Sequence, residues 1–118
     1  MARFEIDGGE LRMHFSTAEQ LGGLRNGARI PLDQVASVDV VRDPWRELQG
    51  MRFGTGIPWV IVLGTMLRGG GNDVVAVYGT KPAVVVTLRP GARWQRLIAT
   101  VDSPDEVAEA LRRQLATN

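Results

Sequence analysis

The sequence predicts a mainly β (α+β) fold, in which seven short antiparallel strands curl into a sandwich or barrel and one amphipathic helix closes an end. Three observations carry this reading. Runs rich in Val and Ile recur along the chain, separated by Gly-, Pro-, Asn- and Asp-containing punctuation. The middle runs are apolar at successive positions rather than alternating, which marks strands covered on both faces. The clearest helical period lies at the end of the chain.

Arg3 to Ile6 and Glu10 to Phe15 flank Asp7-Gly8-Gly9, and Leu11, Met13 and Phe15 alternate with Arg12 and His14. This pattern gives a hairpin with one wet face. Ser16-Thr17-Ala18-Glu19 has capping-box spacing, and Gly22-Gly23 keeps the helix that it opens short. A third strand runs from Ile30 through Val41 and stops at Asp43-Pro44, which reads as a helix cap and first residue of one turn over Trp45 to Gln49. Residues 59 to 67, 74 to 78 and 83 to 88 are three more strands in meander order, separated by RGGGND and GTKP. Arg89-Pro90-Gly91-Ala92 is a type II turn, and Trp94 to Val101 is the seventh strand. In the closing helix Ser103 caps, Pro104 takes the first position, Glu106 completes the box, and Val107, Leu111 and Leu115 share one stripe. Glu109 with Arg112 and Arg113 forms a solvated opposite face.

At 118 residues the chain is read as one domain, 1–118, long enough to bury a core. Fourteen basic and thirteen acidic side chains leave a formal charge of +1, which provides no field for gathering nucleic acid. Thirteen of the basic residues are Arg and only Lys81 is Lys, a bias that a GC-rich genome produces without any phosphate ligand. There is no Cys, so disulfides, thiolate metal sites and cysteine nucleophiles are excluded. The first residues lack the apolar stretch of a secretory signal, and Ile57 to Leu67 is about half the ~20 residues that span a bilayer. A cytoplasmic protein is expected.

The element order, the stretch "RIPLDQVASVDVV" and the stretch "DPWRELQGMRFGTGIPW" leading into a strand together resemble the bacterial pleckstrin-homology-like domains. The resemblance covers essentially the whole chain and implies a seven-stranded module closed by a C-terminal helix, with a tendency to self-associate. In eukaryotic relatives of that fold, basic residues near an open end between early strands grip phosphoinositide headgroups. Here the Asp7-Gly8-Gly9 turn carries no Lys and has only Arg3 and Arg12 nearby.

The stretch "LQGMRFGTGIPWV" decides whether chemistry can be claimed. Gly54-Thr55-Gly56 is followed by no Lys-Ser/Thr and by no helix, so it is not a nucleotide loop. Gly54 and Gly56 instead allow positive dihedrals on the way into the next strand, and Pro58 removes a donor before pairing begins. The candidate binding rim is Trp45, Arg46, Arg52, Phe53 and Trp59, because Trp and Arg are the types most enriched at interaction hot spots. The competing reading makes both indoles a roof over the core. His14 is the single histidine and is read as exposed and idle, leaving no Ser-His-Asp triad. Asp102, Asp105 and Glu106 are explained by the helix cap, and no cofactor or metal is expected. Arg89, Arg93 and Arg96 form a small basic cluster beside Trp94.

The doubly apolar middle strands require a cover, either the 43–58 loop or a second copy of the chain, and a homo-oligomer is the expectation. The functional reading is a non-catalytic interaction module that contacts an unidentified protein or small ligand through the 43–59 rim. Its alternatives are a peripheral lipid-headgroup binder and an enzyme with an unassembled carboxylate site.

Overall fold

A computed structural model describes residues 1–23, 26–48, 50–68 and 71–116. The opening hairpin pairs β1 (Arg3–Asp7) with β2 (Glu10–His14), and Asp7 opposes Glu10. Gly8 and Gly9 alone make the turn, at φ 60° and 79°, the two positive dihedrals of a type I′ connection. The other edge of β2 pairs with β3 (Gly27–Pro31) to complete a three-stranded antiparallel sheet. Leu11, Met13 and Ile30 are buried on its inner face, as the alternation requires.

Between β2 and β3 the predicted capping box is present and opens α1 (Thr17–Gly23). The Glu19 amide donates to Ser16 Oγ at 3.2 Å, and the Ser16 amide donates to Glu19 Oε1 at 2.8 Å. Gly22 and Gly23 then let the helix rest on the sheet: a Cβ at Gly23 would stand 3.2 Å from the Gly64 nitrogen.

The predicted strand from Ile30 to Val41 is divided in two. β3 ends at Pro31, which has no N–H to give the ladder, and a 3-10 turn over Leu32–Gln34 carries the chain to β4 (Val35–Val41). This break moves the chain from the first sheet to the second.

The second sheet has six strands: β4, β5 (Met51–Ile57), β6 (Ile61–Arg68), β7 (Gly71–Tyr78), β8 (Ala83–Leu88) and β9 (Arg96–Ala99), in the order β4-β8-β9-β7-β6-β5. The described residues therefore hold nine strands rather than seven, in two sheets that do not close into a barrel. The stretch read as a long loop contains β5, whose glycines conceal its alternation. The meander is also interrupted, because β9 lies between β7 and β8, antiparallel to β8 but parallel to β7. The turn at residues 69 and 70 within RGGGND lies outside the described residues, as does Gln49.

The position of β9 explains the doubled apolarity. Leu97 and Ala99 face a main core filled by Leu11, Met13, Ile30, Val74, Val84 and Val86, whereas Ile98 faces a smaller cluster with Val75, Val77 and Val85. Trp45 and Leu48 pack on that smaller cluster. The 43–58 segment thus contributes the cover itself, and the apolar second face does not require another subunit.

The chain ends in α2 (Pro104–Ala116), which buries Ala108 and Leu111 in the main core, with Val107 and Leu115 half-buried beside them. Ser103 enters the helix at φ 51°, and its carbonyl accepts the Val107 N–H at 3.0 Å. Arg112 is more than a solvated charge, since its Nε donates to the Val38 carbonyl on β4 at 2.9 Å.

Candidate functional site

The rim begins with a 3-10 turn over Pro44–Glu47, where proline occupies the first position as expected and Asp43 makes no side-chain cap. Pro44 is buried, and the Trp45 indole Nε1 donates to the Gly79 carbonyl at 2.6 Å. Arg96 holds this turn against the sheet. Its Nη2 donates to Asp73 Oδ2 at 2.9 Å and to the Glu47 carbonyl at 2.8 Å, while Nη1 donates to Glu47 Oε2 at 2.9 Å. Burial alone would lower the Arg96 pKa, but the carboxylates of Asp73 and then Glu47 outweigh it and hold the guanidinium above its ordinary value.

β5 and β6 form the hairpin at the edge of the six-stranded sheet, beside this turn. Its middle is a glycine pair: Gly54 opposes Gly64 at φ 134° and 127°, and a Cβ on either would run into the carbonyl oxygen of Leu63 or Phe53. Gly56 has a different role from the one expected, because the Arg52 guanidinium lies over it where a side chain would sit. At the tip, the Val60 N–H donates to the Ile57 carbonyl at 2.9 Å across Pro58-Trp59. Proline suits the first central position of this turn, but the second needs positive φ and is filled by Trp59 at φ 65°. An indole replaces the usual glycine there, a strained arrangement of the kind that gathers at functional surfaces.

The structure brings Trp45 and Trp59 together, with ring centroids 5.2 Å apart and planes tilted by 55°. Arg46, 87% exposed at its side chain, reaches Asp43 at 3.4 Å. Arg52 opposes Met66, so it shares the sheet face on which Trp45 rests. Phe53 does not join them: it opposes Thr65 on the other face, the one where Thr55 Oγ1 donates to the Gly22 carbonyl at 2.7 Å. Sequence reasoning missed Met51, Ile57 and Val60, which are exposed on the same hairpin as Phe53 and Trp59. The period-2 spacing of Met51, Phe53, Thr55 and Ile57 was the signal that could have found them.

The basic cluster beside Trp94 is dispersed. Arg96 turns inward, Arg89 Nε donates to the Asp33 carbonyl at 2.9 Å, and Arg93 stacks 4.9 Å from the Trp94 ring centre. His14 is not idle, since its Nε2 lies 3.4 Å from Glu5 Oε1, and contacts from Arg3 and then His14 hold the Glu5 pKa below its ordinary value. Among the described residues no group of three or more His, Asp or Glu side chains is placed to hold a metal ion, and no helix is long and apolar enough to cross a membrane. Comparisons of the chain with protein-family models, with curated proteins and with solved structures return no match.

Proposed function

We propose that the chain is a non-catalytic interaction module of the cytoplasm, which contacts protein through the β5–β6 hairpin and the Trp45 turn beside it. The observation that carries this reading is the exposure of five large apolar side chains on the hairpin at one sheet edge: Met51 at 70%, Trp59 at 62%, Val60 at 56%, Phe53 at 54% and Ile57 at 52%. Water-exposed apolar groups concentrated along one sheet edge, Phe53 on one face and Trp59 beside Trp45, mark contact surfaces. The strain at Trp59 supports the same reading, because a glycine there would serve the turn better.

A second copy of the chain is the partner that the hairpin suits best. β5 is an edge strand of the six-stranded sheet, with no Lys or Pro within it to discourage pairing, so its open backbone groups can extend the sheet into another molecule. The opposite edge differs, since α2 and Arg112 cover β4.

Sedimentation velocity over a concentration series tests this. The native chain is expected to self-associate at high micromolar concentration, and Phe53→Arg to shift it to monomer. Trp59→Gly is expected to weaken association while stabilising the fold by up to about 1 kcal/mol through relief of the left-handed strain. A native chain that stays monomeric throughout would remove self-association, and a less stable Trp59→Gly would remove the strain argument.

A further inference from the structure

The residues of β5, Met-Arg-Phe-Gly-Thr-Gly-Ile, are complementary in size to their own reverse. β5 pairs with β6 from Met51 to Ile57 without a shift of register, and two carbonyls show which backbone groups that pairing consumes. The Phe53 oxygen stands against Gly64 on β6, and the Ile57 oxygen accepts the Val60 N–H inside the turn. Backbone groups alternate between the two edges of a strand, so Met51, Phe53, Thr55 and Ile57 bond towards β6, whereas Arg52, Gly54 and Gly56 present their N–H and C=O to the open edge. Side chains alternate between the faces in the same way, which places Met51, Phe53, Thr55 and Ile57 together on one face.

Laid antiparallel on a second β5 about an axis at Gly54, the strand sets Gly54 against the partner's Gly54, Arg52 against the partner's Gly56, Phe53 against the partner's Thr55 and Met51 against the partner's Ile57. Every open-edge residue of one strand then exchanges hydrogen bonds with an open-edge residue of the other. The long Arg52 side chain meets a position with no side chain, as it already does in its own strand by lying over Gly56. The Phe53 ring meets the small Thr55, and Met51 with Ile57 makes an apolar pair at each end. Neighbouring registers lose part of this. An axis at Phe53 sets Gly56 against Gly50, which lies outside the strand at φ 95°. An axis at Thr55 sets Arg52 against Pro58, which has no N–H to give. An axis at Arg52 opposes two guanidiniums, a destabilising like-charge pair.

We infer that the self-association proposed above, on which this geometry rests, is a closed two-fold dimer in which β5 pairs antiparallel with the partner's β5 about Gly54. Two six-stranded sheets become one continuous sheet. The pairing consumes the same edge in both copies, and the opposite edge is covered by α2, with Arg112 Nε bonded to the Val38 carbonyl. An isologous contact of this kind leaves no further copy of itself to offer, so growth stops at two.

The chain has no Cys, so introduced thiols read the register without background. Met51→Cys and Ile57→Cys replace exposed side chains at opposite ends of β5, about 20 Å apart, too far for either thiol to join its own symmetry mate. The two variants are mixed under mild oxidation at a concentration where the native chain sediments as a dimer. The mixture is expected to form a disulfide-linked dimer on the order of tenfold faster than either variant alone, because pairing holds the two thiols at about millimolar effective concentration. The oxidised product is expected to sediment at the mass of two chains with nothing larger. A native chain that is monomeric throughout removes both the self-association and this geometry. A native dimer in which the mixture gains nothing over the single variants overturns the geometry alone. So does a faster disulfide in Phe53→Cys by itself, or in Phe53→Cys mixed with Ile57→Cys, either of which moves the axis to a neighbouring residue. Native assemblies larger than two chains overturn the closed dimer.

Discussion

Tyr78 is the only tyrosine of the chain, and its hydroxyl donates to Glu19 Oε2 at 2.6 Å. Burial, followed by the hydrogen bond to Glu19 and the charge of that carboxylate, pushes the phenol well above its ordinary pKa. An unfolded phenol ionises near about pH 10. The contribution of this pair to stability is therefore full below that pH and declines as pH rises towards the folded-state value, because only the unfolded chain releases the proton there. Absorbance at the tyrosinate band is expected to show no ionisation of the folded chain near pH 10, and a normal titration in denaturant. A folded chain that titrates normally would refute the contact. Tyr78→Phe leaves the 2%-exposed Glu19 with one partner fewer and is expected to cost about 1–3 kcal/mol in urea unfolding. At this scale much was legible in the sequence: the reciprocal cap of Ser16 and Glu19 and the Gly8-Gly9 turn involve neighbours only. The Tyr78 partner was not, since it lies 59 residues away.

Among the elements, the turn carrying Trp45 depends on a buried ion network rather than on its own hydrogen bonds. Asp73 is fully buried, and Arg96 is its bidentate partner. Removing the guanidinium takes a bidentate countercharge from a buried carboxylate, so Arg96→Ala is expected to cost about 3–5 kcal/mol. The same change should release the turn and expose Trp45, seen as a red shift of native-state fluorescence relative to Trp45→Phe controls. A loss below about 1 kcal/mol, no more than a surface pair contributes, would show that the network does not hold the turn. The sequence presented Arg96 as part of a surface cluster with Arg89 and Arg93. Spacing around a turn says nothing about which side of the strand meets a distant carboxylate. β5 was hidden for another reason, since Gly54 and Gly56 imitate a loop although Gly54 serves a close strand crossing.

For the molecule as a whole, the mainly β class, the closing helix and most core residues were readable from apolar spacing, but the strand order was not. Parallel pairing of β7 with β9 depends on which edge remains open, a property of the assembled sheet. Because β9 is flanked on both sides, the amides of Leu97 and Ile98 are expected to exchange with solvent only through global unfolding, while amides of the β5 edge exchange through local opening. Native-state hydrogen exchange reads this directly. Equal protection of the two strands would contradict the strand order.

A ribosome delivers β7 and β8 before the ribbon that belongs between them. Until the last quarter of the chain emerges, those two either keep a vacant slot or join side by side and must be prised apart. The cost of this topology therefore falls on the rate of maturation, and a nascent chain halted before Arg96 has no route to the finished sheet.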